Sequence, residues 1–223
     1  MSGLTLSGLG RSALSLAGVL LLGGSCAPLS TRIPTVGDQA VERFVRAAGL
    51  EIAAVSEQSA RRADYEFYLA RFNRPDILGL STGHHQIYVS YELARRAYRD
   101  ERYLWLLRHT LAHEIAHDVL GRGGAPESGA DHSGLANRIT GRDLGLAGWI
   151  RLRLYPRSAE LAADRKALEY WRKLGWDCRH WIELFAGFLA QGYRGDADHP
   201  TEERLEQARA ICAPPPARAE PSA

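Results

Sequence analysis

Apolar residues fall at helical spacing in the first long segment of the chain. Val41, Phe44, Val45, Ala48, Ile52 and Val55 line one face between about residues 38 and 62, which predicts an amphipathic helix. The period then shortens. In "YEFYLARF", Tyr65, Phe67 and Leu69 share one side, as in a half-buried strand. "HQIYVS" predicts a second short strand, with "STGH" before it as a turn. Leu104, Leu107, Leu111, Ile115 and Val119 form a single stripe on the clearest helix, 101–120. "GRGGAPESGADHSG" closes it as a Gly-rich loop over 121–134, of the kind that is disordered or moves over a site. "RDLGLAGWIRLRLY" predicts another helix, broken by Pro156. Ser158 is placed to cap a helix ending near Leu174 and Gly175. Two further helices, about 178–191 and 201–210, complete a mainly helical α+β pattern with a small sheet.

Composition narrows the reading. The 223 residues are 45% hydrophobic and 24% charged, a balance that suits one folded domain, here 38–212. The tail 213–223, "APPPARAEPSA", offers nothing to bury and is expected to be disordered. A net charge of +2 without a dense Lys/Arg patch gives no case for nucleic acid.

Residues 1–25 have one positive charge, Arg11, then an apolar run from Ala13 to Leu22 and small residues up to Cys26. That is the layout of a secretory signal, and it falls short of the ~20 apolar residues of a membrane span. "LLGGSC" resembles the bacterial lipobox, which implies lipidation of Cys26 and a tether over 26–37; a signal without lipid is the other reading. The lipoprotein reading places the domain in the bacterial envelope, on the periplasmic side. By resemblance to enterobacterial lipoprotein sorting, Ala27 after the cysteine implies the outer membrane. In an exported chain, Cys178 and Cys212 are expected as a disulfide, with two buried thiols as the alternative.

The chemistry gathers in "TLAHEIAHDVL". His113 and His117 lie four apart, so on a helix both imidazoles reach one ion, and Glu114 lies beside a metal-bound water. Both histidines fall off the leucine stripe and are expected to face a cleft. His109, one turn earlier, is too far for the same tetrahedral ion and reads as a neighbour or a surface histidine. Leu120 and Gly123 exclude the three-histidine pattern HExxHxxGxxH. The candidate third ligand is Glu160 in "SAELAAD", although an acid-rich helix start explains Glu160 alone equally well. Asp164, one turn on, can accept a hydrogen bond from a ligand histidine. His84, His85, His132 and His180 read as structural or solvated.

"LAHEIAHDVL", "RSAELAADRKALEYWRKLGWD" and "GDADHPTEERL", in that order, resemble the M48 family of zinc metalloendopeptidases. The resemblance implies one Zn2+ per chain on His113, His117 and Glu160, with Glu114 as base and Asp164 behind the ligands. It also implies a zincin-like domain whose sheet edge, expected around 85–90, lines the cleft and pairs with substrate. His199 matches the family's late histidine and Arg204 its arginine as catalytic groups, the latter one residue closer than in the family pattern. The expected activity is proteolysis of misfolded or misassembled envelope proteins by a lipid-anchored enzyme. The rival is a chaperone-like binder of the same fold that cuts little or nothing. An aminopeptidase would need an acidic anchor for the substrate amine, and none is identifiable.

Overall fold

The computed structural model describes residues 33–72, 77–121, 155–197 and 199–213. The signal, Cys26, most of the tether, all but Gly121 of the 121–134 loop with its His132, all but Tyr155 of the expected helix over 142–155, and the tail from 214 onward lie outside these.

Helix α1 spans Gln39–Ala53, and the Asp38 carboxylate accepts from the Val41 N–H at 3.3 Å to cap it. It stops well before residue 62. Past Val55 the run "SEQSARRAD" offers only the small Ala60 and Ala63, both exposed, and residues Ser59–Asp64 form a 3₁₀ segment instead. Strands β1 (Glu66–Ala70), β2 (Gly79–Gly83) and β3 (Gln86–Ser90) make one sheet in the order β1-β3-β2. β1 runs parallel to β3, and β2 antiparallel to it.

The expected edge strand is therefore the central one. In β3, Ile87, Tyr88 and Val89 are fully buried, as a strand covered on both faces and both sides requires. "STG", expected as a turn, is instead the end of the edge strand β2; the turn is His84–His85. The strand's Gly, Ser and Thr content hid it, because what defines it is pairing with β3 rather than side-chain pattern.

Helix α2 (Tyr91–Arg99), which the apolar pattern does not reveal, begins at once, with Ser90 Oγ accepting from the Leu93 N–H. A short 3₁₀ turn, Glu101–Tyr103, leads into α3 (Leu104–Leu120). Then come α4 (Arg157–Lys173), α5 (Cys178–Ala190) and α6 (Thr201–Cys212). α4 is not capped by Ser158. Pro156 holds the extended N-cap position and its carbonyl accepts from Ala159 and Glu160.

α3 packs against α1, α2, α4, α5, β2 and β3. Every residue from His109 to Asp118 is buried, so the helix has no solvent face there. The single leucine stripe undercounts its packing for that reason. Leu107, Leu111 and Ile115 meet Ile52, Ile87, Leu168 and Trp171 in the core. Cutting a side chain such as Leu111 to alanine there costs ~2–5 kcal/mol. Cys178 and Cys212 form a disulfide with Cα atoms 6.0 Å apart, joining the start of α5 to the end of α6. No helix among the described residues is long and apolar enough to cross a membrane.

Candidate metal centre

Two helices bring the three expected donors together. One turn of α3 separates His113 from His117, and their Nε2 atoms stand 3.0 Å apart. Glu160, in the first turn of α4, places Oε2 2.9 Å from His113 Nε2 and Oε1 3.1 Å from His117 Nε2. All three side chains are buried, and their donor atoms lie within 4.8 Å of one another. This group can hold a metal ion. Bonds of ~2.0–2.1 Å at tetrahedral angles put ligand nitrogens ~3.3 Å apart, so a small outward shift of the rings suffices.

Charge favours the same conclusion. Burial resists a proton on His113, but Glu160 and then Asp164 outweigh it and lift its pKa to about 10. His117 goes the other way, to about 4, through burial and the charge on His113. The Glu160 carboxyl is held far below its ordinary range: burial opposes this, and His113, His117 and His199 overcome it. The negative charge of Glu160 is thus matched by a proton on His113, which an ion binding there would have to displace.

Behind the ligands lies a buried relay. Asp164 Oδ1 is 2.8 Å from His113 Nδ1. Arg204, from α6, donates to both Asp164 oxygens, Nε to Oδ2 at 2.5 Å and Nη2 to Oδ1 at 2.6 Å. A carboxylate is an acceptor only, so His113 Nδ1 carries a hydrogen, and an ion that displaces the proton on Nε2 would find its lone pair at the ion position. Arg204, expected among the catalytic groups, is spent on Asp164 and lies over the Phe185 ring at 4.8 Å. His117 is supported differently, by the ring of Tyr155 stacked on it at 3.8 Å and 12°. Tyr155 had no signal in the sequence, since it owes its place to tertiary packing.

Glu114 points the opposite way from the Asp164 relay, against β2. The Ser81 N–H donates to its carboxyl group, and burial raises its pKa to about 7, with His113 opposing and Glu160 assisting. Gly79 makes the approach possible. A Cβ there would lie 2.6 Å from Thr110 Cγ2 and 2.8 Å from Glu114 Cγ.

His199, on the loop before α6, brings Nε2 to 3.2 Å from Glu160 Oε2, while its Nδ1 meets Asp196 Oδ1 at 2.9 Å. Its side chain is 42% exposed, against 9%, 3% and 4% for His113, His117 and Glu160. Asp196 carries no expectation from the sequence, although the "DADH" spacing lets its Oδ1 accept from the His199 backbone N–H as well, at 2.8 Å. His109 is no surface residue. It is buried between His113, Trp181 and Phe185, and burial lowers its pKa to about 3. His180 stacks on Trp105 at 3.9 Å and His84 is exposed.

Neither a scan against protein-family models nor a search of curated proteins finds a match to this chain.

Proposed function

We propose that this chain is a zinc-dependent endopeptidase with a zincin-like catalytic domain, akin to the M48 family, that cleaves unfolded or misassembled envelope proteins. The observation that carries the reading is the joint placement of Glu114 and the His113–His117–Glu160 group. One buried turn of α3 supplies two donors and, between them, a carboxyl group on the β2 side. A group that only held an ion in place would have no use for that buried acid.

The donor set fits zinc: two imidazole nitrogens and one carboxylate oxygen leave a fourth position free, the pattern of catalytic rather than structural sites. When bound there, zinc polarises a carbonyl oxygen and lowers the pKa of water. The protein's own groups do the rest. Glu114 accepts a proton from the water as its oxygen adds to the carbonyl carbon. It then delivers that proton to the amine nitrogen as the C–N bond breaks. His113 keeps its lone pair aimed through Asp164 and Arg204. His199, exposed and beside Glu160, is the group assigned to stabilise the reacting carbonyl. The sequence of the first 26 residues is what supports an anchored, periplasmic location.

The test compares wild type with Glu114→Gln on an unfolded protein substrate, with zinc content measured for both. The expected result is equal zinc and a ~10²–10⁴-fold loss of cleavage in the variant. Equal cleavage by the two overturns the reading.

A further inference from the structure

The turn between β2 and β3 is built in an uncommon way. His84 and His85 occupy its two central positions with φ of 55° and 64°, a conformation that favours Asn and Gly and that histidine adopts at a cost. A strained turn persists only where its surroundings hold it. The holder is Asp118, buried on α3 one residue beyond His117. Its Oδ1 accepts from the His85 backbone N–H at 3.0 Å, and its Oδ2 lies 2.7 Å from His85 Nδ1. Tyr65, just ahead of β1, donates its hydroxyl to the same Oδ2 at 2.9 Å. His85 and Tyr65 are both buried, with ring centroids 4.6 Å apart. The Glu66 N–H donates to the His85 carbonyl at 2.8 Å and ties the turn to β1 as well.

These contacts join the tip of the edge strand to the helix that carries the two histidine donors. β2 runs back from that tip to Ser81, whose N–H meets Glu114, and to Gly79, which packs on it. We infer that the His85–Asp118 clasp is a positioning device for the catalytic base: it fixes where β2 lies along α3, and so where Ser81 and Gly79 hold the Glu114 carboxyl group. This inference rests on the peptidase reading for its link to turnover, though not for the clasp itself.

Two variants separate the clasp from simple stability. Asparagine tolerates positive φ and its Nδ2 occupies the place of the ring Nδ1, so His85→Asn keeps both turn and donor. His85→Gly keeps the turn and loses the donor. Amide hydrogen exchange of residues 79–83 is measured for each alongside wild type, with kcat, KM and zinc affinity, well below each melting temperature. The expected result is exchange at least tenfold faster at Ser81 in His85→Gly, with kcat at least tenfold lower and KM and zinc affinity within twofold of wild type. His85→Asn stays within threefold of wild type throughout. Unchanged exchange in His85→Gly overturns the clasp. Faster exchange with unchanged kcat, or a kcat loss that follows zinc loss, overturns its positioning of the base. If wild type cleaves nothing, the peptidase reading and the link to turnover fall, and exchange still decides the clasp.

Discussion

Arg204 grips Asp164 with two guanidinium nitrogens, at 2.5 and 2.6 Å, although the two residues belong to different helices. Burial makes an isolated Asp164 carboxylate costly, and Arg204 followed by His113 compensates, holding the carboxyl well below its usual range. The arginine thus reaches the ion position through two intermediaries.

Removing it should show at the metal rather than at a substrate. Arg204→Ala is expected to weaken zinc binding ~10–100-fold and to cost ~3–5 kcal/mol of stability by stranding a buried charge. Arg204→Lys restores charge without the two-pronged geometry and should fall in between. Competition against a chelating dye, with thermal melts, reads both.

Gly79→Ala is expected to lower kcat more than tenfold while zinc affinity stays near wild type. The atoms the added methyl meets first belong to Thr110 and Glu114 and not to the three donors. Steady-state kinetics with metal titration checks the split.

The Cys178–Cys212 bond spans a sequence separation of 34 residues, and the chain-entropy relation gives ~4 kcal/mol for such a loop. His199 and Arg204 lie inside it. Replacing both cysteines by serine should therefore lower the denaturation midpoint and weaken zinc binding together. Denaturant titrations with and without zinc test the pairing.

Acid sensitivity should involve Glu57, far from the metal. Burial opposes its charge, but the Tyr170 hydroxyl at 2.7 Å and Lys166 at 3.1 Å prevail and hold its pKa below the ordinary 4.5. A carboxyl depressed on folding stabilises above its unfolded pKa and loses that contribution as pH falls through the folded value. Glu57→Gln should thus flatten the stability profile below about pH 4.5 and leave its shape above pH 6 unchanged. Urea melts across that range measure it.

Local pattern was enough to nominate the candidate metal group and Asp164 behind it, and not enough to find the other supports. His113, Glu114 and His117 announce themselves because a helix fixes their geometry, and Glu160 with Asp164 obeys the same four-residue rule. Asp118 with His85, or Arg204 with Asp164, are pairs of distant residues whose meeting depends on how elements dock, which no periodicity encodes. α2 escaped notice because "YELARRAYR" is short and arginine-rich, with only Leu93, Ala94 and Ala97 buried. The sheet was misordered because β2 is made of residues that favour turns. Its place depends on an absent side chain at Gly79.

His199 has a consequence of its own for traffic. The donors and Glu114 are buried, and among the described residues His199, 42% exposed and 3.2 Å from Glu160, links the candidate centre to solvent. On the peptidase reading, whatever approaches Glu160 from that side, whether ion, water or peptide, passes this ring, which Asp196 holds. A molecule held at His199 would then slow metal loss as well as peptide binding, so on that reading a blocker would also protect the ion from chelators.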